Sequence, residues 1–344
     1  MARLIRIGPV CEADVQRAAD RSQSSEVRQR AQVVLDDFLR RRVPSEIRVL
    51  SGQHRSFVNC CEFSPDGELL ASVGEDGAIV LWRWKTGAVE RAMRGHMGGV
   101  LLAAFSPDGK TLATSGRDKR VVLHDVATGV GRPVPKDHNG AVSAVLFSRD
   151  GSQLFSASDD RLIFVRNSEG LLRHSLEGHQ RPAIALAISA DGKTLYSAGG
   201  FWDNGTRFGE IKAWDLESRR ERWSAGGEFG GVWGIDLSPN GKHLASAGLD
   251  GVIRIWDAET GQDGPVLKGH TDRAIWVDFA PHRPLLASAS YDGTVRLWDT
   301  DKWQTKVTLP AHAAQVQRLS FAPRENILAT TGNDQVIRIW RIPE

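Results

Sequence analysis

Short apolar runs broken by turns rich in Gly, Asp, Ser and Pro recur from about Glu46 to the end of the chain. Runs of this length, without helical spacing, predict β-strands. In the first copy of the pattern we predict strands at Val58–Phe63, Leu69–Ser72, Ala78–Trp84 and Glu90–Met93. Four strands in each copy predict an all-β fold built from repeated four-stranded sheets.

Residues 1–45 follow a different pattern and are predicted to be a separate helical segment, with the repeat domain at 46–344. Apolar residues recur there at helical spacing, at Val27, Ala31, Val34, Leu35, Phe38 and Leu39. With a shorter candidate helix over 12–21, they resemble one HEAT-like unit. One such unit cannot bury its apolar stripe alone. Either the helix pair docks on the neighbouring domain, or the segment is the end of a longer region.

Three landmarks recur along the repeat domain, mostly at intervals of 42 residues. The first is a Gly-His pair, or a pair in which one member is replaced, at His54, His96, His138, His179, Glu228, His270 and His312. The second is a hydroxyl residue, at Ser72, Thr114, Ser156, Ser197, Ser246, Ser288 and Thr330. The third is a Trp or its replacement, at Trp82, His124, Arg166, Trp214, Trp256, Trp298 and Trp340. The chain therefore carries seven copies of one unit.

A period of about 40–45 residues with these signatures resembles the WD-repeat family of β-propellers. The resemblance covers about 295 of the 344 residues. It implies a seven-bladed propeller of four-stranded antiparallel blades. The last copy ends after a strand at Val336–Arg341, so it lacks an outer strand. The resemblance implies that Ile47–Leu50 supplies this strand and closes the ring.

His270, Ser288 and Asp292 have the composition of a catalytic triad, but the same set recurs in other copies, which argues against catalysis. The resemblance instead implies structural hydrogen-bonded tetrads. Their members in blades one, six and seven are His54, Ser72, Asp76, Trp82, His270, Ser288, Asp292, Trp298, His312, Thr330, Asp334 and Trp340. Because His124, Arg166 and Glu228 break the pattern and the turn Asp of blade four is displaced, we expect blades two to five to be less tightly joined.

Blade four carries an insertion: Ser197 and Trp214 are 17 positions apart, whereas Ser72 and Trp82 are 10 apart. The extra residues lie within 201–208, predicted as a loop with three aromatic side chains. The loop either folds onto blade four and replaces the missing Asp, or binds a partner. Its Asp-Asn-Gly sequence lacks the other ligands of a calcium loop, so no metal is predicted.

The family resemblance also implies a partner-binding face, where the turns between the middle strands and the starts of the inner strands meet. The candidates there, together with two aromatic residues of the insertion, are Phe57, Asn59, Glu75, Arg117, Asp159, Phe201, Trp202, Trp233, Arg273, Tyr291, Gln317 and Asn333. Aromatic and Arg side chains are typical of interface hot spots. The mixed charges argue against a groove for a phosphate backbone.

Bulk properties support the same interpretation. The net charge of the chain is +2, and residues 1–45 carry nine Arg and six acidic residues. The repeats therefore have a net charge near −1, without the positive patch that nucleic-acid binding requires. No apolar run approaches the roughly 18 residues of a membrane span. Three Cys residues without a disulfide pattern predict a reducing, cytoplasmic location.

These observations predict a monomeric, non-enzymatic scaffold that binds a protein or peptide and uses no cofactor. The scaffold is expected to be a module of a larger regulatory protein. Turns such as SPDGKTLATSG look bacterial. The alternatives are an enzyme that uses the central channel, which would need converging acids or His residues there, and a structural repeat module without a ligand.

Overall fold

A computed structural model describes residues 25–26, 28–29, 43–135, 138–203, 206–227 and 230–343, without the side chains of residues 201–203 and 206–207. Residues 25–26 and 28–29 are helical. The rest of the predicted helix pair lies outside the described residues.

The described chain forms 28 β-strands, each short because a turn interrupts it after one crossing of a sheet. In chain order they are β1 (Ser45–Leu50), β2 (Val58–Phe63), β3 (Leu70–Gly74), β4 (Ile79–Arg83), β5 (Ala88–Met93), β6 (Val100–Phe105), β7 (Thr111–Gly116), β8 (Val121–Asp125), β9 (Gly131–Pro133), β10 (Val142–Phe147), β11 (Gln153–Ser158), β12 (Ile163–Asn167), β13 (Leu172–Leu176), β14 (Ala183–Ile188), β15 (Thr194–Asp203), β16 (Thr206–Asp215), β17 (Arg220–Gly227), β18 (Val232–Leu237), β19 (His243–Gly248), β20 (Ile253–Asp257), β21 (Asp263–Leu267), β22 (Ala274–Phe279), β23 (Leu285–Ser290), β24 (Thr294–Asp299), β25 (Gln304–Pro310), β26 (Val316–Phe321), β27 (Ile327–Gly332) and β28 (Ile337–Arg341).

These strands make seven four-stranded sheets in the described residues, which confirms the predicted propeller. Six blades use four consecutive strands, beginning with β2, β6, β10, β14, β18 and β22 as the innermost strand. The seventh blade has the order β1-β28-β27-β26. The N-terminal strand therefore supplies the outer strand of the last blade, as predicted.

Blade seven is closed by antiparallel pairing of β1 with β28, from Ser45 opposite Arg341 to Leu50 opposite Ile337. The guanidinium of Arg338 also bonds the Glu46 carboxylate at 2.7 Å. The two ends of the propeller are thus joined in one sheet, and the pairing covers the edge that β28 would otherwise expose.

The core lies between neighbouring blades. Apolar side chains of adjacent sheets interdigitate, and one cluster joins Leu50 and Ile337 of blade seven to Val58 and Trp82 of blade one. The second strands are almost completely buried because both of their faces meet another blade. This packing makes the ring a rigid support for the side chains at its centre.

Candidate functional site

Each of the seven inner strands carries a β-bulge after its first residue. In blade one, Val58 is opposite Gly74 and Cys60 is opposite Val73, so Asn59 is the extra residue. The other six inner strands shift register at the same place. A bulge re-aims a side chain out of the regular alternation. The bulged residues are Asn59, Leu101, Ser143, Ile184, Trp233, Ile275 and Gln317.

All seven bulged residues line one cavity of about 730 Å³ at the end of the central channel, which we call the mouth. The turns between the second and third strands of the blades form its rim. Ten of the twelve predicted partner-binding residues lie here: Phe57, Asn59, Glu75, Arg117, Asp159, Trp233, Arg273, Tyr291, Gln317 and Asn333. The fold brings them together although they are scattered over 277 positions of sequence, from 57 to 333.

The other two candidates, Phe201 and Trp202, belong to a strand and not to a loop. The ladder between β15 and β16 continues through the insertion, with Phe201 opposite Phe208 and Asp203 opposite Thr206. The loop prediction was therefore wrong, because residues 201–203 pair with 206–208 across a lengthened hairpin. The side chains of Phe201 and Trp202 lie outside the described residues.

Blades one to three form the charged half of the mouth. The Glu75 carboxylate accepts hydrogen bonds from the Arg117 guanidinium at 2.6 Å and from the Asn59 amide at 3.0 Å. The Ser143 hydroxyl donates to the Asp159 carboxylate at 3.0 Å. These charged groups are therefore engaged with each other or with polar neighbours of the same face.

Blades five to seven form the aromatic half. The rings of Trp233 and Tyr291 meet edge to face, with centroids 6.3 Å apart and planes at 89°. The guanidinium of Arg273 lies 6.0 Å from the centroid of the Tyr291 ring. Burial raises the pKa of the Tyr291 hydroxyl, although Gln317 and Arg273 favour its charged form. The hydroxyl thus stays protonated near neutral pH.

Two residues at the floor of the mouth were not among the predicted candidates. The guanidinium of Arg318 stacks on Trp276, 3.3 Å from the ring centroid. Both residues directly follow a bulged residue on an inner strand, and both line the cavity. The repeat alignment places them at the same position as Cys60, so only knowledge of the bulge would have predicted that they face the channel.

Deeper in the channel, acidic residues occur at the fifth position of three inner strands: Glu62, Asp236 and Asp278. None of the three was among the predicted site residues. Each carboxylate accepts the backbone N–H of the inner strand of the next blade, from Phe105 at 3.3 Å, Phe279 at 2.7 Å and Phe321 at 2.7 Å. The acids therefore join adjacent blades.

The environment of these acids favours their protonated form. Burial raises the pKa of Glu62 to about 7, with Arg318 and the Phe105 N–H acting in the opposite direction. Burial raises the pKa of Asp236 to about 6. Burial and then the charge of Asp236 hold the pKa of Asp278 well above its usual range.

Outside the mouth, blade six contains a buried hydrogen-bonded tetrad. The His270 ring lies 2.7 Å from the Ser288 hydroxyl through Nε2 and 3.0 Å from the Asp292 carboxylate through Nδ1. The indole N–H of Trp298 donates to the same hydroxyl at 2.8 Å. Equivalent contacts occur among His54, Ser72, Asp76 and Trp82, and among His312, Thr330, Asp334 and Trp340. The His side chains of these three tetrads are buried, and their Asp partners are 8–16% exposed.

Blade two retains the tetrad despite its missing Trp, contrary to the expectation that it would be less tightly joined. The His124 ring replaces the indole and lies 3.0 Å from the Thr114 hydroxyl. His96 bonds that hydroxyl at 2.9 Å and the Asp118 carboxylate at 2.9 Å. Burial, and then the charge of His96, lowers the pKa of His124 to about 4.

Blade four also completes its tetrad, with Glu210 of β16 in place of the turn Asp. The Glu210 carboxylate lies 2.9 Å from His179 Nδ1 and accepts the backbone N–H of Arg181 at 2.9 Å. Burial disfavours its charge, but these contacts outweigh burial and lower its pKa. Glu210 supplies the carboxylate that a turn Asp supplies in other blades, because its longer side chain reaches His179 from the strand itself.

Blades three and five keep only part of the arrangement. His138 contacts the Ser156 hydroxyl at 2.9 Å and Asp160 at 3.0 Å, while Arg166 is buried at the Trp position. In blade five Trp256 donates to Ser246 at 2.8 Å, and the turn Asp250 pairs with Arg254 at 2.7 Å. Glu228, which stands at the His position, lies outside the described residues.

Among the described residues, no group of three or more His, Cys, Asp or Glu side chains is arranged to hold a metal ion. No helix in that part of the chain is long and apolar enough to cross a membrane. Cys60 and Cys61 are buried free thiols.

The family model "WD domain, G-beta repeat" matches seven segments of the chain: 44–83, 87–125, 131–167, 170–208, 224–257, 261–299 and 303–341. Together these segments cover most of its length. The chain belongs to the WD-repeat family. WD-repeat propellers are typically non-enzymatic interaction scaffolds that bind other proteins or peptides.

Individual relatives match this WD-repeat chain over short stretches. Nuclear distribution protein nudF of Aspergillus flavus is 38% identical over 58 residues, which are 17% of this chain and 13% of that protein. WD repeat-containing protein 1-B of Xenopus laevis is 43% identical over 60 residues, 17% of this chain and 10% of that protein. The chain thus spans 13% or less of these relatives. The matches do not support the expected bacterial origin or HEAT-like unit.

Proposed function

We propose that this WD-repeat propeller is a non-enzymatic scaffold that binds a protein or peptide in the mouth of its channel. The observation that carries the proposal is the convergence of seven bulged residues, one from each blade, on a single cavity of about 730 Å³. Phe57 and Trp233 are 45% and 36% exposed at this cavity, on opposite sides of the ring. Partly exposed aromatic side chains around a rigid concavity suit a protein interface.

The channel acids do not favour an enzyme over a scaffold. Glu62, Asp236 and Asp278 each bond a neighbouring strand, and the repeated His-Ser-Asp sets are buried in the blades. A reaction would need a nucleophile or an acid–base pair open to the cavity. The described mouth offers amides, aromatic rings and internally bonded charges instead.

Site-specific crosslinking tests the binding face. A photoreactive amino acid replaces Phe57 at the mouth or, as a matched control, Val130, an exposed apolar residue at the periphery of blade two. In extracts of the source cells we expect discrete crosslinked proteins from position 57 and not from position 130. The Trp233→Ala/Tyr291→Ala double variant should abolish these products while it retains the circular dichroism spectrum of the wild type. Identical products from both positions, or none from either, would exclude the proposed face.

Three wider features complete the proposal: the propeller acts as a module of a larger regulatory protein, in the cytoplasm, and is itself a monomer. The reduced state of buried Cys60 and Cys61 supports a reducing compartment. The absence of a strong charge on the repeats supports protein partners over nucleic acid or membrane surfaces. Analytical ultracentrifugation should give the mass of one chain, and fractionation of source cells should recover the protein in the soluble fraction.

A further inference from the structure

The two halves of the mouth differ in how far their polar groups are already engaged. On the charged half, Glu75 binds both Arg117 and Asn59, and Asp159 binds Ser143. A charged partner residue would have to compete with these contacts. The charged half therefore suits the outer, polar part of an interface more than its anchor.

The aromatic half offers a preformed apolar surface. Trp233 is 36% exposed, and its ring is held by the edge-to-face contact with Tyr291. Leu249 and Ile275 are buried and line the same part of the cavity. A large apolar side chain placed against the indole would bury apolar surface on both molecules at little cost in side-chain ordering.

Beside these rings, blade seven presents a chain of three amide side chains. Gln317 Nε2 donates to Asn333 Oδ1 at 2.6 Å, and Asn333 Nδ2 donates to Gln315 Oε1 at 2.7 Å. Each primary amide has two N–H donors and an acceptor oxygen with two lone pairs. Bonding capacity therefore remains after these two bonds and the hydrogen bond between Gln317 and the Tyr291 hydroxyl. Amides that hold one another in place are ordered partners for the alternating N–H and C=O groups of an extended peptide.

The electrostatics of the aromatic half argue against a basic anchor. The Arg273 guanidinium lies 6.0 Å from the Tyr291 ring, and the Arg318 guanidinium covers Trp276 at the floor. A Lys or Arg side chain packed against Trp233 and Tyr291 would approach two like charges. The aromatic half thus favours an uncharged side chain by both shape and charge.

We propose that blades five to seven form an anchor pocket for one large uncharged apolar side chain of an extended partner segment. The side chain packs against Trp233 and Tyr291, and the main chain on either side of it hydrogen-bonds the amides of Gln315, Asn333 and Gln317. This inference rests on the proposed function, because it names the kind of partner that the mouth takes.

Selection from a random peptide library displayed on phage, with the purified propeller as bait, tests the anchor. We expect selected peptides to share one Phe, Trp, Leu or Met position. Synthetic peptides of the selected sequence should lose at least about tenfold in affinity when that residue becomes Ala. Replacement by Lys should be at least as damaging, because of the two guanidinium groups.

Protein variants locate the pocket. Trp233→Ala should weaken the selected peptide by about tenfold or more, whereas Trp233→Phe should recover most of the affinity. The double variant Glu75→Gln/Arg117→Gln, which keeps the shape of the charged half, should change affinity less than about threefold. Thermal unfolding of each variant checks that the ring remains folded.

Three outcomes would overturn the anchor pocket: a shared Lys, Arg, Asp or Glu at the anchor position, a larger loss from the charged-half variant than from Trp233→Ala, or no enrichment of any peptide. The last two are distinguishable from failure of the proposed function. Crosslinking from position 57 would still report whether a protein binds at the mouth, whichever half anchors it.

Discussion

In blade six the ring of His270 lies between a serine hydroxyl and the carboxylate of Asp292, which belongs to the turn before β24. In blade four the ring of His179 lies between a serine hydroxyl and the carboxylate of Glu210, which belongs to β16 itself. The distances from Nδ1 to the carboxylates are 3.0 and 2.9 Å. Two different residue types at two different sequence positions therefore bring a carboxylate oxygen to nearly the same distance from the ring.

The difference shows what the blade requires. A buried imidazole is stabilised by a partner at each ring nitrogen, since an unsatisfied buried polar group is costly. The carboxylate also accepts a backbone N–H just after the His, from Thr271 in blade six and from Arg181 in blade four. Blade four has no Asp at the turn position that carries one in blade six, and the longer Glu side chain brings a carboxylate to the His ring and to a nearby backbone N–H. The requirement is a carboxylate in a fixed place, whatever element supplies it.

The largest expected effect comes from removing the imidazole that all contacts share. His270→Ala should lower the free energy of unfolding by about 3 kcal/mol, because the buried Ser288 and the carboxylate of Asp292 lose their shared partner. Urea unfolding followed by tryptophan fluorescence measures the loss. Thr271→Ala is the matched control, since Thr271 contributes only its backbone N–H, and it should stay within about 0.5 kcal/mol of the wild type. A loss from His270→Ala no larger than that of the control would show that the tetrad adds little stability.

Exchanging the two carboxylate residues tests whether the length of each side chain must match the position of its backbone. Glu210→Asp should cost about 2 kcal/mol, because the shortened side chain withdraws from His179 Nδ1 and the Arg181 N–H in a buried site. Asp292→Glu should cost a comparable amount, since the longer side chain does not fit between the ring of His270 and the Thr271 N–H. Both losses are measured by urea unfolding.

Glu210→Gln separates length from charge. It keeps the reach of the side chain and one acceptor oxygen, so it should cost less than Glu210→Asp. If Glu210→Asp were neutral, the equivalence of blades four and six would rest on something other than the carboxylate position.

Most of the fold was predictable because the same sequence signals recur in all seven copies of the repeat. The Gly-His, Ser and Trp landmarks predicted the number of blades. The family resemblance implied the closure seen between Ser45–Leu50 and Ile337–Arg341. Ten of the residues that the family resemblance implied for one face line a single cavity. Whether they bind a partner stays a prediction.

The parts that could not be predicted depend on contacts that no repeat position specifies. Glu210 replaces an Asp from a different element, so an alignment by position misses it. Trp276 and Arg318 reach the channel because of a bulge, which the apolar pattern does not reveal. The acids in the channel, such as Asp278, bond a backbone N–H of the next blade, and that contact joins residues more than 40 positions apart.

The smallest expected effect concerns blade two, where His124 occupies the place that Trp298 holds in blade six. The His124 pKa is lowered to about 4 by burial and by His96, whereas an unfolded His titrates near about 6.5. The unfolded chain therefore binds a proton that the folded chain does not as pH falls below about 6.5, so stability declines between about pH 6.5 and 4. At pH 5.5 this single residue should account for about 1 kcal/mol of lost stability relative to pH 8.

Substitution by the residue of the other blade isolates this contribution. His124→Trp should reduce the fall in unfolding free energy between pH 8 and 5.5 by about 1 kcal/mol, and the reciprocal Trp298→His should increase it by a similar amount. The larger indole must fit beside Gly95, which is close to the His124 ring, so the exchange carries a packing cost. Because this cost does not depend on pH, comparing the pH dependence within each variant removes it. The remaining His residues are common to all three proteins and cancel in the same comparison. If the three pH profiles were parallel, His124 would have to be equally protonated in the folded and unfolded chains, and the blade-two histidine would be more open to water than its burial between Thr114 and Gly95 indicates.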